Sequence, residues 1–125
     1  MSELPITSYR DLSVWQQAMA LAETCYALTR SFPRDELFGM TSQIRRSAAS
    51  IAANIAEGHG REATGSFIQS LRVAQGSLKE LETHILLAVR VSVTTQAKAG
   101  LALDQCQDIG KMLRALIRSL EARRG

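Results

Sequence analysis

Residues 67–88 read FIQSLRVAQGSLKELETHILLA, and in that stretch Phe67, Leu71, Ala74, Leu78, Leu81, Ile85 and Ala88 alternate steps of four and three without a break. A side chain recurs on one face of an α-helix every 3.6 residues, so this rhythm lays one continuous apolar seam along a rod. Thr64 stands where an N-cap would. From there to about Ser92 the rod measures roughly 40 Å at ~1.5 Å per residue. A helix with one long apolar stripe must bury it against other helices.

The flanking segments supply them. Ala102, Cys106, Ile109, Leu113, Leu116 and Leu120 continue the four-three rhythm in a fourth helix that starts after Thr94-Thr95, with Leu103, Met112 and Ile117 widening its apolar side. Upstream, Met40, Ile44, Ala48, Ile51 and Ile55 mark a second helix that begins between Asp35 and Thr41. Small residues surround that stripe and invite close helix approach, and Gly58 reads as a left-handed stop. The first helix, about Asp11 to Arg30, carries two apolar sets. Leu12, Trp15, Met19, Ala22 and Tyr26 form one; Val14, Ala18, Leu21, Cys25 and Leu28 form the other. Together they cover about half the circumference, wider than the ~100° one core requires. The second set is therefore taken as an oligomer interface, because an exposed apolar patch of that width is a liability in a monomer.

The connections read as about four to eight residues, which makes sequential helices antiparallel. The expected fold is all-α, an up-down-up-down four-helix bundle over residues 11–122, with tails at 1–10 and 123–125. Ala and Leu abound while aromatics make up 5%, a helix-forming mix. The two cysteines, Cys25 and Cys106, fall in apolar helical patterns and read as small buried hydrophobes. Neither a basic start nor an apolar run marks Met1–Pro5, and no stretch approaches the ~18 apolar residues of a membrane span, so the cytoplasm is expected.

Candidate chemistry is sparse. His59 and His84 lack partners at metal-ligand spacing, no Glu-x-x-His occurs, and Gly58, Gly60 and Gly65 form no phosphate loop. The reading is a non-enzyme without metal or cofactor. Fifteen basic residues against twelve acidic give a charge of +3, so distribution matters more than the total. On the fourth helix Lys111, Arg114 and Arg118 lie along one face, a candidate phosphate-binding surface, although the helix dipole alone favours cations near the C-terminus. On the second helix Arg45 and Arg46, with Arg61 just beyond it, are further nucleic-acid candidates. The weightier reading of that stripe is internal: Glu57 pairs with Arg46 or Arg61, and Arg45 reaches a carboxylate such as Glu80 or Glu82.

The run Phe38-Gly39-Met40-Thr41-Ser42-Gln43-Ile44-Arg45-Arg46-Ser47-Ala48, with Ser50-Ile51 and Asn54-Ile55-Ala56-Glu57-Gly58, resembles the signature of the bacterial four-helix-bundle proteins encoded in intervening sequences of 23S ribosomal RNA genes. That family is similar to the accessory protein of diversity-generating retroelements. Leu12, Val14-Trp15, Phe32-Pro33, Glu80-Leu81-Glu82 and Met112-Leu113 also fit, and the likeness spans about Tyr9 to Leu120. It implies a homopentamer, with RNA, DNA or a nucleic-acid enzyme as partner, and no catalysis. Two departures touch helix ends. Ala63 and Ser66 stand where members often have Ser and an acidic residue, and Val91-Ser92-Val93 replaces a Gly-Tyr. The alternative to a nucleic-acid-binding scaffold is a protein-protein adaptor with no nucleic-acid contact.

Overall fold

The computed structural model describes residues 8–124, and among them there are four long helices and no strand. They are α1 (Ser13–Thr29), α2 (Ser42–His59), α3 (Thr64–Arg90) and α4 (Gln96–Arg124). Each packs on its chain neighbours, and α1 closes the square against α4. This is the expected antiparallel bundle. Among the described residues no helix is long and apolar enough to cross a membrane.

The seams meet in one core. Leu21, Ile44, Ile51, Ile55, Leu71, Leu81, Ile85 and Leu113 are wholly buried. Fully burying a Leu or Ile side chain stabilises by roughly 1.5–3 kcal/mol, so this layer dominates the favourable side of folding. Phe67 is only half-buried; Ile68 beside it goes inside. On α4 the inward residue is Ile117 rather than Leu116.

The first helix corrects the expectation drawn from its two stripes. Val14, Ala18, Leu21, Cys25 and Leu28, taken as an oligomer interface, are 0–7% exposed and form the α1 share of the core. Of the other set, Met19 at 41% and Tyr26 at 42% are exposed, while Leu12, Trp15 and Ala22 are partly buried against the core. The physical reason lies in side-chain type. The inner set has no polar end to keep wet, while Tyr26 and Trp15 carry polar ends that tolerate water.

Helix ends bring further corrections. Gly58 is not a left-handed stop. It lies inside α2, buried, where a Cβ would sit 2.6 Å from the Ser70 Cβ of α3. The residue lets two backbones approach, and α2 runs on to a Gly60 cap of ordinary right-handed geometry. Thr64 is the first residue of α3 rather than its cap; Ala63 holds the cap position, where its carbonyl accepts from Ser66 and Phe67 N–H and no side chain caps. The left-handed terminator is Ser92, at φ 65°. Val93 N–H donates to Ala88 O (2.9 Å) and Ser92 N–H to Val89 O (3.1 Å), the paired bonds of a Schellman motif.

The first connection is longer than expected. Residues 30–41 hold a 3-10 turn (Arg34–Glu36) and a kinked segment (Leu37–Thr41) whose backbone leaves the helical region at Gly39 (φ −110°, ψ −107°). The Glu36 carboxylate accepts from Met40 N–H at 3.1 Å, closing this turn. At the chain's start, residues 1–7 of the expected tail lie outside the described residues. Tyr9–Asp11 forms a 3-10 turn whose Tyr9 ring meets Trp15 edge-on at 5.2 Å. At the other end α4 continues to Arg124, two residues into the expected tail, and Gly125 lies outside the described residues.

Candidate nucleic-acid interface

The six candidate cations divide among three places. Lys111, Arg114 and Arg118 share the flank of α4 that borders α3, and all three are exposed. Their common side follows from steps of three and four along one helix. Across the boundary, α3 adds Lys79. Together Gln75, Gly76, Leu78, Lys79, Gly110 and Arg114 line a shallow groove of about 310 Å³, which continues toward Gln107 and Lys111. Nothing lies within 4 Å of where a Gly76 Cβ would be, so the groove stays open on its α3 side.

Charge in this groove is only partly compensated. Lys79 Nζ reaches Glu82 at 3.3 Å, and Arg72 bridges to Glu121 of α4 at 2.8 Å. Among the described residues no carboxylate lies within ion-pair distance of Lys111, Arg114 or Arg118. Exposed pairs such as these contribute at most ~1 kcal/mol, so the two bridges hold little of the fold. The three free cations face water and any anion that arrives.

Arg61 stands apart at the foot of α2. It pairs with Glu57 at 2.7 Å, one of the two pairings the sequence suggests. Asn54 nearby is accounted for internally: its Nδ2 donates to the Ser50 carbonyl (2.8 Å) and Oγ (3.1 Å), and Ser50 shares a 2.9 Å hydrogen bond with Ser77 of α3. This part of the signature stitches α2 to α3.

Arg45 and Arg46 sit at the opposite end of α2. Arg45 does not reach Glu80 or Glu82. It turns toward α1, where its Nε donates to Thr29 Oγ1 at 2.8 Å and its guanidinium lies over the Tyr26 ring, 4.6 Å from the centroid. Thr29 Oγ1 in turn donates to the Cys25 carbonyl at 2.8 Å. Arg46 is exposed and has no acidic partner among the described residues. Beside this pair stands Phe38, 92% exposed. The sequence reading passed over Tyr26 and Phe38 as functional residues. The signal available was a Phe in the turn seven residues before an Arg-Arg pair, with no apolar period to bury it.

His59 packs edge-on against Phe67 at 5.8 Å, a structural contact. Among the described residues no group of three or more His, Cys, Asp or Glu could hold a metal ion. Cys25 and Cys106 are free and buried, and burial pushes each thiol from 9.0 up to about 12. A thiol held neutral at that level is a poor nucleophile.

A family model described as 23S rRNA-intervening sequence protein matches residues 10–115. A solved structure from Bacteroides thetaiotaomicron VPI-5482, described as a protein with unknown function from the S23 ribosomal protein family, is 26% identical. The likeness covers 83% of this chain and 97% of that one, with a TM-score of 0.75. No curated protein matches.

Proposed function

Because this chain belongs to the 23S rRNA-intervening sequence protein family, we propose that it is a non-catalytic, homo-oligomeric scaffold of the cytoplasm that binds RNA or DNA, or an enzyme acting on them, through basic side chains. The observation that carries this reading is the trio Lys111, Arg114 and Arg118, exposed on one flank of α4 without a carboxylate partner. Polyanions are the matching chemistry: each phosphate neutralised releases counterions, and symmetry would repeat the flank around an oligomer.

Anisotropy titrations with labelled RNA and DNA at several salt concentrations test the proposal. Replacing all three cations by Gln should weaken binding and flatten its salt dependence while melting stays unchanged. Absence of binding by the wild type at ~50 mM salt, where such contacts are strong, removes direct nucleic-acid contact. The second reading, a protein-protein adaptor, would then stand. Its support is the exposed apolar set Leu86 and Leu87 on α3, Val91 just past its end, and Leu101 on α4.

A further inference from the structure

The junction of α1, the kinked segment Leu37–Thr41 and α2 joins two kinds of side chain that the α4 flank does not. Tyr26, Leu37, Phe38, Thr41, Arg45 and Arg46 border a cleft of about 460 Å³. Among the described residues no carboxylate lines it; Glu36 stands in the same turn, but its carboxylate is turned to Met40 N–H. Phe38 projects almost wholly into solvent, with its π faces unoccupied. Arg45 is held over Tyr26 by its bond to Thr29, which fixes a positive charge in the cleft wall. Arg46 is free to follow a phosphate.

We infer that this cleft is a single-strand subsite, in which an unpaired nucleobase stacks on Phe38 while the adjoining phosphates lie against Arg45 and Arg46. The chemistry follows from what each group offers. An exposed aromatic face gains by stacking on a base, and only an unpaired base presents both faces to it. Arginines beside it answer the charge of the connecting backbone. Duplexes, whose bases are already stacked, would meet only the cations. The inference rests on the nucleic-acid reading above and adds to it a preference for unpaired strands.

The test compares wild type, Phe38→Ala and Phe38→Trp by anisotropy, using a short labelled oligoadenylate and a duplex of the same length. Phe38 buries almost nothing in the fold, so the melting temperature should not move. Phe38→Ala should weaken single-strand binding roughly 5- to 150-fold, the range for one lost base stack. Duplex affinity should stay within about twofold, because phosphate contacts carry it. Phe38→Trp should restore the single-strand affinity, and its indole emission should be quenched as oligoadenylate is added. Equal single-strand binding by wild type and Phe38→Ala would overturn the subsite while leaving the basic flank standing. A fall in particle mass by light scattering for Phe38→Ala would also overturn it, assigning the ring to contact with a second copy. Failure of the wild type to bind either probe would remove the parent reading and the subsite together.

Discussion

Gly58 shows how one missing methyl group sets the distance between two helices. Its neighbour across the interface is the Ser70 Cβ, and the Phe67 ring would stand 3.0 Å from an added Cβ. Gly58→Ala therefore forces α2 and α3 apart. Overpacking costs about 1–3 kcal/mol, against which the better helix propensity of Ala returns up to ~1 kcal/mol. The expected result is a net loss of up to about 2 kcal/mol in urea unfolding. Adding Ser70→Gly should recover part of it, a favourable coupling in the double-mutant cycle. The absence of any coupling between Gly58→Ala and Ser70→Gly would contradict the contact. The same glycine marks a limit of sequence reading. A glycine near the end of an apolar period signals a stop and a close approach equally well, and only the facing helix decides. The surrounding alanines and serines were the legible hint.

At the scale of the element, α3 is the part best read from periodicity, because one uninterrupted seam leaves a single way to face the core. Its terminus is different. Ser92 adopts the left-handed conformation that favours glycine and costs other residues about 1–2 kcal/mol. Ser92→Gly should raise stability by about 0.5–1 kcal/mol, after the greater freedom of glycine in the unfolded chain is subtracted. Thermal or urea unfolding would check it, and Ser92→Val should move the other way. The first helix was less legible. Two apolar stripes of equal period offer two inward faces, and spacing cannot rank them. Leu21 is sealed and Met19 is 41% exposed, and only the placement of the neighbouring helices decides between the two faces.

Across the whole molecule, the two buried thiols link stability to pH. Each is held protonated in the fold, raised from 9.0 to about 12 by burial, with the neighbouring Cys25 thiol and Glu82 adding to the rise at Cys106. The folded state then binds more protons than the unfolded state between those values. Stability is complete below about pH 9 and declines as pH climbs toward 12, by up to ~1.4 kcal/mol per unit for each thiol. Cys25→Ala/Cys106→Ala should unfold with a flatter alkaline limb, whatever its loss at neutral pH. An equal slope in both proteins would rule out the thiols as the source. The candidate interface was legible only in part at this scale. Lys111, Arg114 and Arg118 lie on one helix, so spacing alone united them. Lys79 joins them from α3, and Tyr26 and Phe38 join Arg45 and Arg46 only through a turn whose winding no period announces.

That winding has its own consequence. Leu37–Thr41 does not wind as one helix, because the backbone breaks at Gly39 (φ −110°, ψ −107°). The phase of α2 is locked downstream by Ile44 and Ile51, which are wholly buried, so it does not set the bearing of Phe38. In this molecule the outward ring is a property of one bend, and any change that wound residues 37–41 evenly into α2 would keep the phenylalanine and lose its aim.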